Sequence, residues 1–138
     1  MDDAPMRDLL RRAMTIAVVG LSDKPDRDSN EVGRYLKEKG YRVVPVNPAL
    51  REVLGEPSYP SLSEIPADVV VDIVDVFRKS EAVPPIVEEA LRRRPRPRAI
   101  WLQLGVRHPE AARQAEAAGV PVVQDLCIMQ QHRRLLPP

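Results

Sequence analysis

Five short aliphatic runs, separated by stretches with helical periodicity, constrain this chain more than any other feature. They are Ile16–Val19, Arg42–Val46, Val69–Ile73, Ala99–Leu102 and Val120–Val123. The first is continuously apolar up to Gly20, which predicts a strand buried on both faces. Before it, Met6, Leu9, Leu10, Ala13 and Met14 recur at helical spacing. After it, Val32, Tyr35 and Leu36 mark one face of a helix that Ser29 would cap and Gly40 would end. Residues 80–94 are read as helix, with Pro84 and Pro85 in the first turn, where a missing N–H does no harm. Pro109–Ala118 is a helix with Pro at its first position and Gly119 as its stop. A short helix closes the chain. Residues 47–60 hold three prolines and are read as irregular, and Ser61–Glu64 has capping-box spacing for one helical turn.

Strands alternating with helices at this spacing mean βαβ units with right-handed crossovers. The expected fold is therefore α/β: a Rossmann-like, doubly wound, five-stranded parallel sheet with helices on both faces and strand order 3-2-1-4-5. The 138 residues fit one domain over 1–138, with residues 1–14 as a helix packed on it. Such sheets bind ligands at the carboxyl ends of their strands. The functional residues should then lie in 20–30, 47–50, 75–79, 103–108 and 124–128.

Charge narrows the function classes. Lys and Arg total 21 against 20 Asp and Glu, so the basic excess of a nucleic-acid or membrane-coating protein is missing. No apolar run reaches the length of a membrane span, and the first residues lack the apolar core of a signal peptide. A single cysteine, Cys127, permits no internal disulfide, which fits a cytoplasmic protein. The 17 Arg, 4 Lys and 15 Pro fit a GC-rich genome or a hot habitat. No metal-ligand pattern is present.

The first strand runs into Gly20-Leu-Ser22-Asp-Lys24-Pro-Asp-Arg27-Asp-Ser29. Gly20 allows a sharp turn, Ser22 and Ser29 place hydroxyls near a helix N-terminus, and Lys24 and Arg27 add charge. Together they suit a phosphate. The GxGxxG fingerprint is absent, and the second strand ends on Asn47-Pro48 where a dinucleotide site wants an acid. NAD is disfavoured on both counts. Asn47 could bond an adenine or ribose edge, or Pro48 could merely stop the strand. Beyond the third strand, Phe77 could pack against an adenine or join the core, and Arg78 with Lys79 could pair with phosphate. Gln103 would be a buried polar group needing a partner. Gly105 permits close approach of backbone to a ligand. His108 reads as an N-cap rather than a base. Cys127 reads first as a small buried apolar residue, with thiol chemistry at the site mouth as the alternative. The cluster Arg92, Arg93, Arg94, Arg96 and Arg98 reads as a solvated helix end.

The segments Gly20-Leu-Ser22-x-Lys24-Pro25-x-Arg27-x-Ser29, Gly40-Tyr41-x-Val43-x-Pro45-Val46-Asn47-Pro48, Asp75-Val76-Phe77-Arg78, Trp101-Leu-Gln103-Leu-Gly105 and Asp125-x-Cys127 resemble the single-domain CoA-binding proteins. Those are similar to the N-terminal domain of the succinyl-CoA synthetase α subunit. The likeness runs over roughly residues 8–135. It implies that Gly20 and Ser22 contact the phosphates of coenzyme A, that Asn47 and Pro48 border the adenosine, that Val76, Phe77 and Arg78 line the nucleotide, and that Gly105 lies near the pantetheine path. Ligases of that kind need a second domain carrying a phosphorylated histidine, so the expectation is a CoA or acyl-CoA binding module, sensor or partner subunit, not an enzyme. An NAD(P)-type oxidoreductase, a Cys127 thiol-redox protein able to form a mixed disulfide with CoA, and an interaction module with a vestigial pocket are the alternatives. A homodimer or protein partner stays open.

Overall fold

The computed structural model describes residues 1–138. Helix α1 (Asp3–Arg12) buries Met6, Leu9 and Leu10. Strand β1 (Thr15–Val19) follows, with all five residues buried. Then come α2 (Asp28–Glu38), β2 (Arg42–Val46), a hairpin of β3 (Glu52–Val53) and β4 (Glu56–Pro57), β5 (Ile73–Val76), α3 (Val83–Arg92), β6 (Ala99–Leu102), α4 (Pro109–Ala117), β7 (Val122–Val123) and α5 (Ile128–Leu135). One apolar layer unites α1, α2 and α5 through Met6, Leu10, Val32, Leu36 and Ile128. The other unites α3 and α4 through Val83, Val87, Ala111 and Ala115. Helices thus cover both faces of a parallel sheet, the doubly wound α/β architecture expected.

The strand order is β2-β1-β5-β6-β7, which corrects the expected 3-2-1-4-5. The third main strand, β5, pairs with β1 and not with β2: Ile73 lies opposite Ile16, and Val76 opposite Val19. The reason lies on the outer side of β2. There Tyr59 donates its N–H to the Pro45 carbonyl at 3.1 Å, and its own carbonyl accepts the Asn47 N–H at 2.9 Å. Pro45 therefore turns its carbonyl outward, and with it the nitrogen that carries no hydrogen. A proline in that position suits an edge strand and resists a second full ladder. With that edge taken, the fully buried β5 occupies the sheet centre.

Several local expectations also shift. The third strand is Ile73–Val76, not Val69–Ile73; Val70 is 47% exposed. Asp72 accounts for the offset, because its carboxylate accepts the N–H groups of Met14 and Thr15, both at 2.9 Å, and so marks the foot of β5 beside the foot of β1. The segment 47–60 is not wholly irregular. It forms the β3–β4 hairpin, whose turn residues Leu54 and Gly55 both have positive φ, the handedness a tight hairpin turn needs. The turn after Ser61 is a single 3-10 turn without the capping-box bond. The arginines beyond α3 are not a merely solvated end: Arg93 donates to the carbonyls of Leu62, Ile65, Pro66 and Val69 at 2.8–3.2 Å.

Candidate functional site

The order β2-β1-β5 puts the topological switch between β1 and β5. The chain leaves β1 towards α2 on one face and leaves β5 towards α3 on the other. A crevice opens where the two connections diverge. Gly20 sits at its centre with φ +88°. A Cβ there would collide with the Phe77 carbonyl oxygen and approach its carbon to 3.1 Å. Only glycine lets the first loop pass this close to the end of β5.

Three clefts surround that contact. The first, about 380 Å³, is lined by Gly20, Ser22, Lys24, Arg27, Ser29 and Phe77, with Asp28. The second, about 350 Å³, lies against the starts of α2 and α5 and includes Phe77, Arg78, Lys79, Gln103 and Cys127. The third, about 190 Å³, includes Val46, Pro48, Arg78 and Ile86. Phe77 is shared by the first two and Arg78 by the last two, so the clefts form one connected surface. Phe77 also packs against the α1–α2–α5 layer, so it joins the core on one side and walls the clefts on the other. Arg78, Lys79, Lys24 and Arg27 lie exposed and form no ion pair.

Other expected site residues are brought near the crevice with their side chains already engaged. Ser29 is not the helix cap: α2 begins at Asp28 after Arg27. Its Oγ instead accepts the Ser22 N–H at 3.0 Å, while Ser22 Oγ accepts the Lys24 N–H at 3.0 Å. Asn47 donates Nδ2 to the Leu21 carbonyl at 3.0 Å and accepts the Ala49 N–H at 3.0 Å. These bonds fix the first loop against the end of β2. Val76 is fully buried within β5 and lines none of the three clefts. Gly105 is exposed, with φ +81°, and its N–H is held by Asp125 at 2.7 Å. His108 caps α4 by accepting the Ala111 N–H at 3.1 Å, as expected.

Gln103 finds the partner its burial requires. Its Oε1 accepts the N–H of Ile128 at 3.1 Å, at the start of α5. A backbone N–H needs an acceptor, so this bond fixes which end of the amide is oxygen. Cys127 immediately precedes α5 and is 6% exposed.

Sequence reasoning misplaced Asp75, setting it in the loop after the third strand. It lies inside β5 between Val18 and Trp101, wholly buried, and neither carboxylate oxygen has a hydrogen-bond partner. Burial, which penalises the charged form, pushes its acid dissociation well above the ordinary carboxylate value. Alternation along β5 puts it on the same face as Ile73 and Phe77, one layer below the crevice.

A parallel sheet covered on both faces, with a crevice at the switch point between β1 and β5, defines a Rossmann-like α/β domain. The chain belongs to the CoA binding domain family, which matches it over residues 14–133. It is 42% identical over 129 residues to the uncharacterized Bacillus subtilis protein YneT, covering 94% of this chain and 93% of that protein. A Thermus thermophilus structure is 44% identical with a TM-score of 0.91, covering 99% of this chain and 100% of that one. An ADP-forming acetate–CoA ligase of Archaeoglobus fulgidus is 36% identical over 78 residues, which span 56% of this chain and 11% of the ligase. No helix is long and apolar enough to cross a membrane.

Proposed function

We propose that this protein binds coenzyme A or an acyl-CoA along the crevice and works as a ligand-carrying module, a sensor or a partner subunit rather than a catalyst. The observation that carries the reading is the connected run of clefts hinged on Phe77 and Arg78, in a chain of the CoA binding domain family. The diphosphate would lie at the Gly20–Ser22 turn, opposite the unpaired Arg78 and near Lys24 and Arg27. Pro48 and Ile86 would border the adenosine. The pantetheine arm would run past Phe77 towards Gln103 and Gly105. Residues 1–138 would act as one domain in this role.

The polar groups around the crevice support binding over catalysis. His108 is committed to its helix cap. The chain's other histidine, His132, bonds Tyr35 at 2.8 Å. Asp75 is sealed beneath the surface. Asn47 stands at the end of β2, where a dinucleotide site would place an acid for the ribose diol, and both ends of its amide are already engaged.

Thermal unfolding with CoA, acetyl-CoA, dephospho-CoA, ADP and NAD tests the proposal. A ligand at about 100 times its Kd adds roughly 2.7 kcal/mol, a shift of order ten degrees for a domain this small. CoA and acetyl-CoA should raise Tm, dephospho-CoA less, and NAD not at all. Arg78→Ala should reduce the CoA shift. A larger shift with NAD than with CoA, or none with CoA, would overturn the reading.

A further inference from the structure

The cleft lined by Phe77, Gln103 and Cys127 has chemistry that simple nucleotide binding does not use. Gln103 is 4% exposed, and its oxygen is committed to Ile128. The amide nitrogen at the other end donates to no protein group. It is not among the sealed atoms either; those are the two oxygens of Asp75. Gln103 lines the cleft, so this nitrogen opens into it. A donor without a protein partner on the wall of this half-open cleft suits a carbonyl acceptor from a ligand. Cys127 borders the same cleft and is unpaired. Leu104, 57% exposed, and Val106 supply apolar wall. An unpaired amide donor, an apolar flank and a thiol, side by side, match a flexible amide-bearing arm that ends in sulfur.

We infer that Cys127 is a thiol-exchange site for the disulfide form of coenzyme A, so that under oxidation the protein holds CoA covalently; the inference rests on the CoA-binding reading of the crevice. The Cys127 sulfur attacks one sulfur of the symmetric CoA disulfide. A Cys127–CoA sulfur–sulfur bond forms, the original sulfur–sulfur bond breaks, and the released CoA thiolate takes up the proton that Cys127 gives away. No net oxidation occurs beyond that already stored in the CoA disulfide. The nucleotide half, held at Gly20 and Arg78, would raise the local concentration of disulfide at Cys127.

The reduced protein is incubated with CoA disulfide or with oxidised glutathione at equal concentration, and intact mass is followed without reductant. The chain holds one cysteine, so an adduct locates itself. The expected result is addition of one CoA less two hydrogens, reversed by dithiothreitol. It should form roughly tenfold or more faster than the glutathione adduct and be slowed by adenosine 3′,5′-bisphosphate. Equal rates with both disulfides would overturn the inference, since the thiol would then be merely accessible. No adduct in a protein whose Tm rises with reduced CoA would overturn it too, while leaving the binding proposal standing. No adduct and no Tm response to CoA would remove both.

Discussion

At the scale of single residues, the crevice depends on one absent side chain. Gly20 carries φ +88° and lies against the Phe77 backbone, so Gly20→Ala combines a left-handed conformation that L residues avoid with a collision against a carbonyl. The loss should be at least about 2 kcal/mol of stability, read by urea unfolding, together with loss of the CoA-induced Tm shift. A variant as stable as the parent would show that the close approach is not required. Residue type and position after a strand put Gly20, Phe77 and Arg78 at the expected crevice edge, with a plain turn or the core as the other uses of Gly20 and Phe77. Ser29 and Asn47 are less legible. A hydroxyl or an amide beside a phosphate loop serves equally to bind a ligand or to brace the loop, and only the positions of its partners decide. Both side chains here brace the loop.

At the scale of elements, the segment between the hairpin and β5 is pinned by Arg93. Its guanidinium gathers four carbonyls from residues 62–69, tying the long crossover to the end of α3. Charge-assisted bonds of this kind are worth more than neutral ones. Arg93→Ala should cost about 2 kcal/mol, and Arg93→Lys should recover little, because a point charge cannot reach two groups of carbonyls at once. Equal stability of the lysine variant and the parent in a denaturant titration would refute the clamp. The sequence showed five strands and alternating helices, yet it misaligned one strand and its place in the sheet. The run Val69–Val76 is aliphatic on both sides of Asp72, so periodicity cannot choose between its halves. The choice is made by Asp72, which binds the start of β1 from 57 and 58 residues away. The strand order did leave a local trace in Pro45, a residue that favours an edge.

At the scale of the whole molecule, two buried groups give stability opposite dependences on pH. Asp75 titrates well above its ordinary value of 3.8 because of burial. Once the unfolded chain has lost this proton and the folded chain has kept it, each further rise in pH favours unfolding. Its contribution is therefore complete below about pH 4 and is lost as pH climbs towards the raised value. His132 is held below its ordinary 6.5 by burial and then by the Lys39 charge. It faces Tyr35 and Tyr41, with Arg133 over the Tyr35 ring. The unfolded chain gains this proton first, so stability falls as pH drops below about 6.5. Tm measured from pH 4 to 9 should fall towards alkali less steeply in Asp75→Asn than in the parent, and fall towards acid less steeply in His132→Gln. Parallel curves for variant and parent would deny the group its role.

The sheet ends in two unlike margins. On one side the Tyr59 segment already occupies the outer rim of β2 around Val46; on the other, β7 offers only Val122 and Val123. An incoming extended peptide finds one rim partly filled and the other too brief to zip onto. The protein is thereby poorly suited to growing by strand addition into fibres or continuous sheets. Helices and loops, which also frame the crevice, make up the rest of the surface.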